Sequence, residues 1–453
     1  MRRIGQTRRG ETRRLIDSPQ LILTPTAGEV LPNGTVIDLV RASGESKSLN
    51  LIVRTGSETV VAPSYEHEGL KYVPASADST ILRAMRFPTG VCSFGSSREL
   101  FDDVAKFLSQ HHDLPEESIA LAAYFVFASW LPERISLAPL LSIVASPTAP
   151  SEALLGSFAI LCRRPMRISD PDPADVLALP MNLQPTLLVD SPRPSARFQE
   201  LLRASRQRRN FFTKRGRAID LFGPKVICTR RPLIDESLMG AMIEIPLSPT
   251  NRQLPPMDWS EFEAQATEFQ GKFLSYRLAA LQNVCESRID CGDLINPLQE
   301  LAQTLASCIV GDDALKRQVL PLLRRQDLEI RVDLSLTLES IVVEALLACC
   351  HEEGKSALMV LDLTQCVNTI LAARGENRQT SPEEIGWKLR ALGLHTDPIG
   401  RKGKGLQLFD PIRKRIHELA RIYCVRSLQG SAAPRCRHCL ALVHRTTKEK
   451  RKA

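Results

Sequence analysis

The sequence predicts an α/β protein: a P-loop-type parallel sheet core, preceded by an N-terminal β-rich unit and followed by C-terminal helical and winged-helix regions. Three observations predict it. Between 137 and about 250, apolar runs at 140–145, 185–190, 224–228 and 242–247 alternate with helical patterns, as a parallel sheet with crossover helices requires. Upstream, short β-prone runs are separated by turn signals. Downstream of 336, the order helix, short strand, helix, helix and two-stranded wing is that of a winged helix-turn-helix.

Each element has a local reason. Residues 1–17 form a basic arm. Within 18–95, runs at 21–23, 35–37, 49–53 and 59–61 are rich in β-branched and apolar residues, and Pro32-Asn33-Gly34 marks a turn. The core spans 96–255. It opens with a helix from Ser97, where Ser96 and Glu99 have capping-box spacing, and continues into an apolar helix at 117–131. Amphipathic patterns at 258–283 and 296–330 make 256–335 a helical lid or linker. In the winged-helix region, 336–428, helices are expected at 336–352, 362–374, 382–393 and 410–423, with strands at 357–360, 395–399 and 406–409. Ser381 caps the helix that begins with Pro382. A basic tail carrying Cys-x-x-Cys closes the chain at 429–453.

Composition narrows the class. Hydrophobic residues make up 43% and charged residues 24% of 453, an ordinary globular balance long enough for several domains. No stretch reaches the roughly 18 apolar residues of a membrane span, and Glu11 and Asp17 interrupt what would be a signal peptide. Twelve scattered cysteines, several in apolar helical patterns, suit a reducing compartment, so the bacterial cytoplasm or nucleoid is the expected location, without membrane contact. The net charge of +8 is concentrated at the ends, which together carry +11 and leave −3 for the middle. A polyanion would therefore meet the termini or a local patch.

The strand Leu140-Leu141-Ser142-Ile143-Val144-Ala145 runs into a loop, 146–153, and then an apolar helix, which is where a P-loop sits. A working loop needs glycines so that amides can close on phosphates, a Lys for the terminal phosphates and a hydroxyl for magnesium. Here Ser146, Ala149 and Ser151 replace the glycines, Glu152 the Lys and Ala153 the hydroxyl, and Pro150 removes an amide. Downstream, Pro185 to Asp190 has the form of a strand ending in a metal-holding acid, but Ser191 stands where a second acid would polarise water.

Six segments together resemble the ATPase core of phage and mobile-element primase-helicase proteins and their bacterial relatives. They are Ala122-Ala123-Tyr124-Phe125 through Trp130-Leu131-Pro132, the loop 146–153, Leu161-Cys162-Arg163-Arg164-Pro165, Pro185 to Asp190, Phe222-Gly223-Pro224-Lys225 and Ile243-Glu244-Ile245-Pro246-Leu247. The resemblance covers roughly 100–280 and implies an AAA-type ATPase acting on DNA, often as a ring with an arginine finger. Ala241, in Met239-Gly240-Ala241-Met242, stands at the position of that arginine.

Candidate DNA contacts lie in two places. Residues 203–217 carry seven basic side chains and no acid, among them Arg206, Arg208, Arg209, Lys214 and Arg215, with Phe211 and Phe212 between. Cations beside aromatics suit a nucleic-acid strand, and the alternative is a solvated helix face with the phenylalanines in the core. In the winged helix, Lys388 and Arg390 lie on the recognition helix and Arg401, Lys402 and Lys404 on the wing, although Glu383 and Glu384 would face DNA unfavourably. Cys436 and Cys439 with His444 follow zinc-knuckle spacing, but the fourth place is Glu449, so zinc would need that residue, Cys424 or a second chain.

The expectation is a DNA-associated, non-catalytic helicase-like ATPase homologue acting as a scaffold or recruitment factor in replication or mobile-element biology, with other such proteins or further copies of itself as partners. It has no resident cofactor. An active ATP-dependent translocase with an atypical loop, taking ATP and magnesium, is one alternative. A protein-docking module without DNA contact is the other.

Overall fold

A computed structural model describes residues 22–42, 48–238, 240–252, 254–255, 259–284, 289–292, 294–352, 354–399, 403–423, 425, 436 and 438–439. The expected basic arm, Met239, Arg401, Lys402, Cys424, His444 and Glu449 lie outside them. The chain divides into two compact units, Met1–Gly292 with Gln299–Leu322, and Asp293–Leu298 with Leu323–Ala453. Among the described residues no helix is long and apolar enough to cross a membrane.

The first unit begins with two small sheets. Gly28–Val30, Val36–Arg41, Leu49–Thr55 and Glu58–Ala62 form an antiparallel meander in that order. Ile22–Thr26 pairs in parallel with Leu70–Pro74, which pairs antiparallel with Tyr65–His67. The sequence reading left the last two strands unassigned. Their connection, Glu68-Gly69, takes positive φ at both residues, the geometry of a tight hairpin without the usual Asn-Gly or Asp-Gly signal.

At the centre lies a five-stranded, all-parallel sheet in the order Ile243–Leu247, Leu140–Ala145, Lys225–Thr229, Thr186–Asp190, Pro165–Ser169. Four of its strands, the edge strand Ile243–Leu247 among them, fall where continuous apolar runs are expected, because a parallel sheet is covered on both faces and must be apolar on both. The fifth, Pro165–Ser169, at the other edge, leaves its last three residues unburied, and its sequence carries no apolar run. Helix Ser97–His111 starts with the Ser96 and Glu99 capping box. Helix Glu116–Ser129 is buried over most of its length. Helix Ser151–Leu161 packs on the strands Pro165–Ser169 and Thr186–Asp190.

Helix Trp259–Ala280 packs into this same unit. Gln270 donates to the carbonyls of Ile160 and Cys162, and the Tyr276 hydroxyl donates to that of Cys308. Arg277 completes a buried charge network. Asp38, 2% exposed, faces Arg163, Arg164 and Arg277, while Glu133 takes both Arg277 amino groups at 2.7 Å. Burial alone would raise the Asp38 carboxyl, but the three guanidiniums hold it far below the ordinary carboxylate range. Glu133 is likewise held down at about 2, the guanidiniums of Arg277 and Arg163 outweighing its burial. Gly28, with φ +148°, is obligatory beside this network, since a Cβ there would lie 3.0 Å from the Arg163 guanidinium.

The second unit contains helix Leu338–Cys350, strand Ala357–Met359, helices Val360–Ala373 and Pro382–Ala391, strands Asp397–Pro398 and Lys404–Gln407, and helix Asp410–Ile422. Lys404–Gln407 is the central strand of a three-stranded antiparallel sheet. Gly405 lets it approach, because a Cβ would come within 2.6 Å of the Leu358 carbonyl. Its core joins Ile341, Leu346, Leu363, Val367, Ile385, Leu389, Leu406, Ile416 and Leu419.

Candidate nucleotide, nucleic-acid and metal sites

The loop 146–153 and Asp190 meet at the carboxyl ends of the parallel strands, where open α/β sheets place their ligands. Ile143 and Asp190 are both in register with Cys228 on the strand between them, so the loop and the acid start from one level. The loop has few amides to offer. Ser146 N–H donates to Leu247, Ala149 N–H to Ser146 and Ser151 N–H to Ala149, at 2.8–3.0 Å, while Pro147 and Pro150 have no N–H. Helix Ser151–Leu161 begins after Pro150 without a side-chain cap.

Glu152, in the first turn of that helix, forms an ion pair with Arg167 on the edge strand. Its carboxyl also meets that of Asp190. Burial raises Asp190 first and Glu152 raises it further, while Arg230 and Arg167 oppose both. Arg230 additionally donates to the Ser146 carbonyl at 2.9 Å, clamping the start of the loop. Two carboxyls and two guanidiniums therefore cluster where a P-loop would set a lysine, a triphosphate and magnesium. Arg167 and Arg230 were not singled out in the sequence, since neither belongs to a motif and only the sheet order brings them here.

Ser191 donates its hydroxyl to Asp170 at 2.9 Å and its N–H to the Cys228 carbonyl, so it is built into the strand end. Ala153 lines a cleft of about 720 Å³ together with Glu152, Gly156, Arg41, Arg86 and Arg167. Ala241 is buried, its N–H donated to Leu238 just before the edge strand Ile243–Leu247.

The basic segment 203–217 is not one helix face. Helix Ala196–Ala204 takes in only its first two residues, and Phe211–Lys214 pairs with Arg217–Asp220 as an antiparallel hairpin. Arg215 and Gly216 turn it with φ of 51° and 77°. Its basic residues divide into two groups. Arg206 is 7% exposed, and burial lowers its guanidinium to about 10. Arg208 donates to the carbonyls of Ile135 and Pro132 and lies 4.3 Å from the Phe222 ring centre, so both serve the fold. Arg209, Arg215 and Arg217 are exposed, and Phe211, paired with Asp220 at the end of the hairpin away from the turn, is 54% exposed. Lys214 is half-buried and bonds the Ala174 carbonyl at 2.9 Å. Lys214, Arg215 and Arg217 border a cleft of about 990 Å³ that reaches Glu133, Gln184 and Phe222.

In the second unit, Lys388 is paired with Glu339, and Arg390 lies 5.5 Å from the ring centre of the exposed Trp387. Lys404 is exposed on the central strand. Cys436 and Cys439 meet two histidines, His351 and His417, from the preceding helices. Cys436 Sγ lies 3.3 Å from His417 Nε2 and Cys439 Sγ 3.3 Å from His351 Nε2. These histidines are distant in sequence from the Cys-x-x-Cys pair, so local spacing gives no signal for them.

No protein-family model matches the chain, and no curated protein matches it in sequence. Among solved structures it is similar to the A-form apo C-terminal region of NrS-1, at 10% identity over 82% of this chain and 96% of that one, with a TM-score of 0.35. It is also similar to SCCmec type IV Cch, named as an active helicase, at 10% identity over 87% and 80%, with a TM-score of 0.42. A full-length MCM homologue from Methanopyrus kandleri follows at 14% identity over 65% and 76%, with a TM-score of 0.30. Likenesses this distant carry no weight beside the strand order, the loop and the hairpin.

Proposed function

We propose that this chain is a DNA-associated, non-catalytic homologue of helicase-type ATPases that acts as a scaffold or recruitment factor in replication or mobile-element biology. The observation that carries the reading is Glu152, which sits where a cation should meet the terminal phosphates and is already engaged with Arg167 and Asp190. At an effective dielectric of about 20, each unit charge 4 Å from a phosphate is worth roughly 4 kcal/mol. Replacing a cation by an anion therefore disfavours a triphosphate by several kcal/mol, before the self-paired amides are counted. The exposed Arg215, Arg217 and Phe211 support contact with a nucleic-acid strand through phosphate pairing and base stacking.

Two titrations of the full chain test it. A fluorescent ATP analogue with magnesium is expected to show no saturable binding, and single-stranded DNA to bind with affinity that falls steeply as salt rises. Micromolar nucleotide binding, or ATP turnover abolished by Asp190→Asn, would replace this reading with the active translocase. For the second unit, the exposed Trp387 behind Glu383 and Glu384 also supports protein docking. Trp387→Ala distinguishes the two, since a docking face leaves DNA affinity unchanged.

A further inference from the structure

We infer that the second unit binds a structural zinc ion through His351, His417, Cys436 and Cys439. Their four ligand atoms lie within 4.8 Å of one another. His351 Nε2 and His417 Nε2 are 3.2 Å apart, and each is 3.3 Å from one of the two sulfurs. A tetrahedral ion with Zn–N near 2.0 Å and Zn–S near 2.3 Å sets its ligands about 3.3 Å apart between nitrogens and about 3.8 Å apart between sulfurs. The nitrogen–nitrogen separation and the two short nitrogen–sulfur separations match that geometry, and all the others stay within 4.8 Å.

Hydrogen bonding accounts for this packing less well. His417 Nδ1 lies 2.7 Å from the Arg413 carbonyl and donates to it, so in the neutral ring Nε2 is a bare lone pair. That lone pair points at His351 Nε2. Hydrogen bonding can fill that lone pair from His351 in only one tautomer of its ring, whereas a shared cation engages both nitrogens and both sulfurs at once. The Nδ1 contact is also the outer-shell bond that fixes the tautomer of a metal-ligating histidine. Two thiolates and two imidazoles with no water position favour zinc over the hard cations magnesium and calcium, and favour a structural site over a catalytic one.

The positions explain what the ion does. His351 is the residue that ends helix Leu338–Cys350, His417 lies within helix Asp410–Ile422, and the Cys-x-x-Cys pair belongs to the segment beyond. His417 and Cys439 are buried, and His438, whose ring packs against His417, bonds Asp410 at 2.9 Å. Zinc would join the end of helix Leu338–Cys350 and helix Asp410–Ile422 to the segment carrying the cysteines, across as many as 88 residues, so its binding energy would become folding energy. The ligand set replaces the one expected from local spacing. Cys436 and Cys439 are kept, and the histidines come from the folded helices.

The full chain, purified with zinc and dialysed, is expected to hold about one equivalent by mass spectrometry of the metal. Cobalt exchange should give the ligand-field bands of a tetrahedral thiolate–imidazole site, and zinc should slow alkylation of Cys436 and Cys439 in the unaltered chain. Cys439→Ser and His417→Ala should lose the ion, while His417→Cys, which keeps a zinc-competent set, and Cys366→Ser should retain it. Zinc-free protein with alkylation unaffected by added zinc overturns the inference. Loss of zinc in His444→Ala with retention in His417→Ala overturns the ligand set.

Discussion

Asp38→Asn tests how the first unit is held together. The substitution keeps the shape of the side chain but removes the charge that faces Arg163, Arg164 and Arg277, all buried to 1% or less exposure. Glu133 then remains as the carboxylate partner among the described residues, against three guanidiniums. Removing one member of a buried ion pair costs about 3–5 kcal/mol, and a residue shared by three cations belongs at the upper end. With a urea slope of about 2–3 kcal/mol/M, that moves the midpoint down by roughly 2 M. Glu263→Gln is the control, because its pair with Arg86, 2.7–2.8 Å long, is solvent-exposed on the Glu263 side and is worth about 1 kcal/mol or less. The assay is urea unfolding followed by circular dichroism. Adding Arg164→Met to Asp38→Asn should recover part of the loss, since one uncompensated cation goes with it. A change for Asp38→Asn no larger than for Glu263→Gln would show that the network is not a keystone. The sign with pH follows: Asp38 is depressed in the folded state, so its contribution is present above the ordinary carboxylate pKa and lost as pH falls toward the folded value.

The remaining expectations concern single sites. His112, buried and 2.7 Å from the Ser157 hydroxyl, is lowered by burial to about 4. The unfolded chain therefore takes up its proton first, and stability should decline between about pH 6.5 and pH 4 by up to about 3 kcal/mol; His112→Gln should flatten that decline in thermal melts across pH, and an unchanged profile would contradict it. Arg215→Ala and Arg217→Ala should each weaken single-stranded DNA binding and reduce the salt slope by about one unit. Phe211→Ala should cost about 1–3 kcal/mol with the slope unchanged, and equal binding by all three variants would remove the hairpin from the interface. Glu152→Gln should bring the Asp190 carboxyl down towards its ordinary range in an NMR titration, with burial leaving it somewhat raised; no movement would mean that the two carboxyls do not interact.

Periodicity and local chemistry made much of the fold legible. Strands buried on both faces announce themselves as apolar runs, which is why the four strands Leu140–Ala145, Thr186–Asp190, Lys225–Thr229 and Ile243–Leu247 could be drawn within about a residue. Ser96 with Glu99, and Ser381 with Pro382, marked helix starts because capping is a contact between near neighbours. The acidic charge at Glu152, just after the strand Leu140–Ala145 and its loop, was equally visible, since residue type and spacing are read directly from the chain.

What the sequence by itself determined was thus whatever depends on neighbours a few residues apart: strand and helix type, the caps and the charge at the loop. Pairing across the chain belonged to the tertiary structure. Only the strand order set Arg167 and Arg230 around Glu152 and Asp190. Only burial separated Arg206 from Arg215, and only helix packing carried His351 and His417 to Cys436 and Cys439. The physical reason is that desolvation and ion pairing depend on distance in space, and residues far apart in the chain become neighbours only when the core closes.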